Sequence, residues 1–156
     1  MEYITISRDS LSWKNILLLR RFEFSIYRPS FPDKNERESF GDIIPRIRHS
    51  DLNVHPYTYC VMAMEGGVIQ GGLVADWYPG CNALEIIYIA VNPDSRGKRI
   101  GSNLLKEGLR LIRETVLKEE KGQIENVFLE VERPIRKAQG KEINPVSRVA
   151  FWDKLG

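Results

Sequence analysis

The chain has 156 residues, a length typical of one domain with one hydrophobic core. Its 42% hydrophobic and 28% charged residues are typical of a globular protein, and no uncharged run is long enough to span a bilayer. A net charge of +2 is too small to indicate nucleic-acid binding, and two histidines with two cysteines offer few metal ligands. The N-terminus lacks a signal-peptide layout. We therefore expect a cytoplasmic protein that needs no metal, nucleic acid or membrane.

The N-terminal third predicts one strand and two helices. Residues 3–7 are typical of a short strand, and Asp9 or Ser10 is expected to cap the first helix. Apolar residues of that helix recur at helical spacing: Trp13, Ile16, Leu19, Phe22 and Ile26. Prolines interrupt residues 28–56, although residues 36–47 predict a short helix. The mixed aromatic and charged side chains of this region either line a ligand site or form a solvated connection.

The central region predicts an antiparallel meander. Residues 57–65 and 68–78 form β-rich runs on either side of a Gly66-Gly67 turn. After Pro79-Gly80, residues 83–91 form a nearly continuous apolar strand, which is expected in the middle of a sheet. Glu85 is the one acidic residue that interrupts it.

The C-terminal half predicts a strand–helix–strand–helix order. An amphipathic helix begins near Ile100, residues 126–132 form a strand, a basic loop spans 133–142, and a last helix spans about 145–155. A strand–helix–strand unit places two strands in parallel. The sequence therefore predicts an α/β fold with a mixed, mostly antiparallel sheet.

A basic, glycine-containing turn connects the apolar strand to the amphipathic helix. The first N–H groups of a helix lack internal partners and carry partial positive charge, so such a turn is suited to phosphate. The turn comprises Arg96, Gly97, Lys98, Arg99, Ile100, Gly101 and Ser102. A plain connection with a solvated basic turn is the alternative. A P-loop Lys-Ser/Thr pair and the three-glycine dinucleotide pattern are both absent from this sequence.

Residues 83–105 resemble the acetyl-CoA motif of the GCN5-related N-acetyltransferases. The family pattern is Gln or Arg, two residues, Gly, any residue, then Gly or Ala. Arg96 and Gly101 match it, whereas Arg99 replaces the first glycine, so its side chain must turn outward, toward a cofactor phosphate. Residues 144–156, with their Lys-Leu-Gly ending, are similar to a later family motif. The resemblance implies a three-layer α/β/α fold with a central, splayed parallel strand pair.

The resemblance also implies roles for residues of the apolar strand. Glu85 matches the position of a glutamate base in several family members; a surface residue or an arginine-paired carboxylate is the alternative. The backbone N–H of Ile89 would polarise the thioester carbonyl. Strand groups of Ile89, Ala90 and Val91 would hold the pantetheine arm of acetyl-CoA, the expected co-substrate.

The family's usual acid, a tyrosine on the last helix, has no clear counterpart. Trp152 aligns with it, and an indole is not an acid near neutral pH, so we expect Trp152 to form a wall against the thioester arm or part of the core. Ser147, Tyr88 or water are the alternative proton donors. Asn144 is expected to contact the pantetheine arm, although it lies one residue out of the usual register.

Two functions follow from these expectations. The first is an N-acetyltransferase that passes acetyl from acetyl-CoA directly to a small-molecule or peptide amine in a ternary complex. The second is a non-catalytic acyl-CoA-binding or interaction domain of the same fold. Family domains continue past the Lys-Leu-Gly ending with two more strands, so we expect residues 1–156 to form one domain lacking those strands. An unpaired sheet edge would then favour a homodimer.

Overall fold

The computed structural model describes residues 1–49 and 56–130, and a five-stranded sheet in the order β1-β2-β3-β4-β5 is its centre. The first three pairings are antiparallel, and β4 pairs with β5 in parallel. The predicted mixed, mostly antiparallel sheet is therefore confirmed. The strands are β1 Glu2–Ile6, β2 Tyr57–Glu65, β3 Val68–Tyr78, β4 Ala83–Val91 and β5 Asn126–Leu129.

The helices flank the sheet on both faces. On one face lie α1 Trp13–Phe22, the π-helical turn Glu23–Tyr27, the short α2 Arg28–Ser30 and α3 Phe40–Arg48. On the other face lies α4 Ile100–Thr115, which continues into a π-helical turn at Val116–Glu120. The predicted three-layer α/β/α arrangement is confirmed. Because strand side chains alternate, each face of the sheet contributes to its own hydrophobic core.

The start of α1 differs from the prediction. Ser12 is the N-cap, and its hydroxyl accepts a hydrogen bond from the N–H of Asn15 at 3.3 Å. The hydroxyl of Ser10 instead lies in the preceding turn, where it accepts from the N–H of Ser7 at 2.8 Å. The prediction of Asp9 or Ser10 as the cap was therefore wrong. Trp13, grouped with the buried apolar residues by its spacing, is 71% exposed.

The second helix is shorter than residues 36–47, and its start follows the capping rule. Ser39 accepts a hydrogen bond from the N–H of Gly41 at 3.0 Å, so α3 begins at Phe40. Pro45 lies inside this helix rather than ending it. At the other end of the described region, β5 ends at Leu129, three residues before the predicted end.

Candidate active site

The predicted anion-binding turn joins β4 to α4. A proline cannot donate to the sheet ladder, and Pro93–Ser95 forms a 3-10 turn directly after β4. The side chain of Asn92 stabilises this turn by accepting a hydrogen bond from the N–H of Asp94 at 3.2 Å. Gly97 then adopts a φ of 79°, where a residue without Cβ is unstrained. The chain thus leaves the sheet and enters α4 at Ile100.

Arg99 takes the conformation for which the family pattern uses glycine. It is the N-cap of α4, with φ 60° and ψ 17°, in the left-handed region that costs an ordinary residue about 1–2 kcal/mol. Its exposed side chain makes no capping hydrogen bond. Gly101, in contrast, has no positive φ and lies in the first turn of α4.

Three exposed cations surround the N-terminus of α4: Arg96, Lys98 and Arg99. Within residues 1–49 and 56–130, none of them forms a salt bridge. The first turn of α4 contains no acidic residue that would offset the helix dipole. Free N–H groups, a helix N-terminus and three cations can together hold a phosphate or pyrophosphate.

A buried hydrogen bond fixes this turn to the neighbouring strand. The hydroxyl of Ser95 donates to Oε1 of Gln70 on β3 at 2.6 Å, and both residues are at least nine-tenths buried. The backbone carbonyl of Gln70 also accepts from the N–H of Asn92 at 2.8 Å. The position of the turn is therefore set by β3 as well as by β4.

Among the described residues, β4 has an open edge next to this turn. Its parallel pairing with β5 ends at Ile86 and Leu129, whereas β4 continues to Val91. Opposite β3, the register shifts by one residue, so that Ile87 is the extra residue of a β-bulge. No described strand pairs with the β5 side of β4 beyond Ile86. The backbone of Ile89, Ala90 and Val91, predicted to contact acetyl-CoA, lies along this opening.

Glu85 lies near the other end of β4. It is half-buried, and its register partners are Asp76 on β3 and Phe128 on β5. The hydroxyl of Tyr78 donates to Oε2 of Glu85 at 2.9 Å. Glu85 and Val91 are separated by six residues of strand, about 20 Å, with the open edge between Glu85 and the basic turn. Along one strand, a carboxylate, an open backbone edge and a basic turn therefore follow in that order.

Comparison with protein families identifies the family of this chain. The acetyltransferase (GNAT) family model matches residues 19–140, which is most of the chain. The chain belongs to this family. The described region of the match contains the open edge of β4, the basic turn and Glu85.

Solved GNAT structures share the fold. An aminoglycoside acetyltransferase from an uncultured soil metagenomic sample is 20% identical with a TM-score of 0.67, over 99% of this chain and 90% of its own. Tetrahymena GCN5 is 13% identical with a TM-score of 0.65, over 100% and 78%. A ribosomal-protein alanine N-acetyltransferase of Escherichia coli is 13% identical with a TM-score of 0.56, over 99% and 77%. No curated protein sequence matches significantly.

The later GNAT motif lies outside the described residues. This applies to Asn144 and Trp152, to the alternative acid Ser147, and to the basic loop 133–142. Tyr88, the other alternative acid, is described. Its hydroxyl accepts a hydrogen bond from the N–H of Glu38 at 3.0 Å, and its ring makes edge contacts with Tyr27 and Phe31. Tyr88 thus attaches the segment before α3 to β4.

A buried polar network lies beside Glu85. The hydroxyl of Thr58 donates to Asp76 at 2.6 Å, and Arg46 of α3 lies 3.6 Å from the same carboxylate. Arg46 also pairs with Glu38 at 2.6 Å. Burial raises the pKa of Asp76 above its ordinary value, although Thr58 and Arg46 act in the opposite direction. Asp76 is therefore held within a buried network, whereas its register partner Glu85 is half-buried.

Two polar residues that contact the candidate site, Tyr78 and Gln70, were not predicted from the sequence. For Tyr78, the signal was the hairpin at Pro79-Gly80, whose register aligns the preceding strand with the one that contains Glu85. For Gln70, the sequence showed only its position in an apolar strand.

In the described residues, no group of three or more His, Cys, Asp or Glu is arranged to hold a metal, and no helix is long and apolar enough to cross a membrane.

Proposed function

We propose that this chain is an N-acetyltransferase that transfers acetyl from acetyl-CoA to a primary amine by direct transfer in a ternary complex. The observation that carries the proposal is the order of features along β4: a carboxylate, an open backbone edge and a basic turn at a helix N-terminus. In this proposal residues 1–156 act as one domain.

The basic turn would bind the pyrophosphate of acetyl-CoA. Backbone N–H groups from Gly97 to Ser102 and the side chains of Arg96, Lys98 and Arg99 provide donors and positive charge for several phosphate oxygens. The pantetheine arm would then lie along the open edge of β4, where the backbone of Ile89 to Val91 offers strand-like hydrogen bonds. Asn144 and Trp152 are the proposed further contacts of that arm.

Glu85 would act as the general base. An ammonium has no lone pair, so the acceptor amine must lose a proton before it attacks the thioester. Glu85 is half-buried, and in the described residues its one hydrogen-bond donor is Tyr78. Its second oxygen, Oε1, is left to accept the proton of the amine, directly or through one water.

The backbone N–H of Ile89 would stabilise the charge that develops on the carbonyl oxygen as the new N–C bond forms. A preorganised backbone donor at such a point contributes about 10²–10³ in rate. The C–S bond then breaks, and the electron pair leaves with the sulfur of coenzyme A, which receives through water the proton that the attacking nitrogen loses as the amide forms.

The acceptor would be a small molecule or peptide with a primary amine. The half-buried carboxylate of Glu85, close to the open edge, favours a cationic substrate. One structural neighbour is described as an aminoglycoside acetyltransferase in complex with sisomicin, and another as a ribosomal-protein alanine N-acetyltransferase. Both kinds of amine belong in the test.

Cofactor binding is tested by calorimetric titration with acetyl-CoA. Removal of two cations, in Arg96→Ala/Arg99→Ala, should weaken acetyl-CoA binding at least tenfold, since charge-assisted hydrogen bonds contribute about 1.5–3 kcal/mol each. Arg113→Ala is the matched control, because this exposed arginine lies on α4 about 20 Å from its N-terminus. Equal affinities of the control and the double variant would contradict the assignment of the turn.

Transfer is tested by thiol release from acetyl-CoA with sisomicin, spermidine, tryptamine and a peptide with a free N-terminal alanine. We expect turnover with at least one amine and a decrease in kcat of about 10²-fold in Glu85→Gln, which is typical of losing a general base. Glu65→Gln, at the exposed end of β2, is the control. Acetyl-CoA binding without turnover of any amine would contradict the proposal and favour the non-catalytic alternative.

A further inference from the structure

Tyr78 and Glu85 form a specific side-chain pair. They lie at the ends of neighbouring antiparallel strands, and the Tyr78 hydroxyl donates to Oε2 of Glu85 at 2.9 Å. No other protein hydrogen bond to this carboxylate occurs in the described residues, so Oε1 is unpaired there. One oxygen of the proposed base is therefore held, while the other is available.

The Tyr78 ring is itself fixed. It stacks against the ring of Phe128 on β5, with centroids 6.4 Å apart and planes at 27°. Phe128 is the register partner of Glu85, so its ring projects from the same face of the sheet. Burial and the bond to Glu85 raise the pKa of Tyr78 to about 12, so its hydroxyl remains a donor across the working range of pH.

From this geometry we propose that Tyr78 is a positioning residue for Glu85, which it holds with Oε1 directed to the acceptor amine. The inference rests on the proposed function, because it assigns a role relative to the base of that reaction. A carboxylate with both oxygens free rotates, and a group that must accept a proton along one direction loses rate when it does. Tyr78 donates a hydrogen bond throughout and transfers no proton.

The Tyr78→Phe substitution leaves the other charged groups near Glu85 in place. These groups are Asp76 on β3, Arg46 on α3 and Glu38 in the segment before α3. Tyr78→Phe retains the ring and its stacking on Phe128, so it removes the hydrogen bond alone. A change in kcat in this variant can then be attributed to the lost donor.

The kinetic test compares Tyr78→Phe with Tyr3→Phe, a control on the far edge strand β1. With the best amine of the panel, we expect kcat to fall about tenfold and KM for acetyl-CoA to stay constant. In a Glu85→Gln background, Tyr78→Phe should have no further effect.

Wild-type kinetics in a folded Tyr78→Phe protein, or an equal fall in kcat in Tyr3→Phe, overturns the positioning role. If instead Glu85→Gln leaves turnover intact, the proposed base is wrong, and the role of Tyr78 in catalysis is overturned with it.

Discussion

The bond between Gln70 and Ser95 gives the sharpest test of how the basic turn is held. Gln70→Leu removes the acceptor and leaves the buried Ser95 hydroxyl without a partner. Ser95→Ala leaves the buried amide oxygen of Gln70 without its hydrogen-bond donor. The double variant removes both polar groups, so neither is left unsatisfied.

The size of the effect follows from burial. An unsatisfied buried polar group costs about 1–3 kcal/mol, so each single variant should lose about 2 kcal/mol of unfolding free energy. In a protein of this length, that loss corresponds to a decrease in Tm of about 4–8 °C. The double variant leaves neither group unsatisfied and should lose only the net value of the hydrogen bond, about 1 kcal/mol, which gives a coupling energy of about 3 kcal/mol.

Thermal and urea unfolding of the wild type, the two single variants and the double variant give the free energies of this double-mutant cycle. Calorimetric titration with acetyl-CoA measures how each substitution affects ligand binding at the turn. Gln123→Leu is the matched control, because the Gln123 side chain is exposed and its substitution should change stability by less than about 0.5 kcal/mol. We expect the Gln70→Leu turn to bind acetyl-CoA more weakly than the control. Additive losses in the cycle would refute the reasoning.

Three further predictions concern single positions. Arg99→Gly should be about 1 kcal/mol more stable than Arg99→Ala in urea unfolding, because the site has a φ of 60°; the reverse order would contradict the left-handed assignment. Because burial raises the folded-state pKa of Asp76, its contribution to stability is present at low pH and is lost as the pH rises through that pKa. The Tm of the wild type relative to that of Asp76→Asn should therefore decrease from pH 3 to pH 7, and an increase would contradict this sign. Gly72→Ala should cost about 1–3 kcal/mol, since its Cβ would lie 2.7 Å from the Phe22 ring, whereas Gly80→Ala meets nothing within 4 Å and should be near neutral in thermal unfolding.

Glycine and proline residues that end strands made much of the sheet predictable. Gly66-Gly67 separates β2 from β3, and Pro79 ends β3, so the predicted bounds of β2, β3 and β4 agree with the structure. The start of α4 was equally readable, because a glycine-containing turn precedes an amphipathic pattern. In each case a local residue determines the boundary, and no distant contact is needed.

The start of α1 was less predictable because two serines compete for one role. Ser10 and Ser12 both suit an N-cap, and the choice depends on Ser10 closing the turn at Ser7. Periodicity alone also cannot say which of several apolar residues at a helix start meets the sheet. Trp13 fits the spacing and is nevertheless exposed, because the helix only enters the core further along, at Leu19 and Phe22.

The bulge at Ile87 explains why the site itself was only partly predictable. Before the bulge, Glu85 faces α1 and α3 while Leu84 and Ile86 pack toward α4. A strict alternation would then place residue 88 with Ile86, on the α4 side. The extra residue reverses the phase, so that Tyr88 packs on the same face as Glu85 and Ile89 on the opposite one. The identity of Glu85 could be read from the chain, but which groups share its face depends on one inserted residue that no local pattern marks.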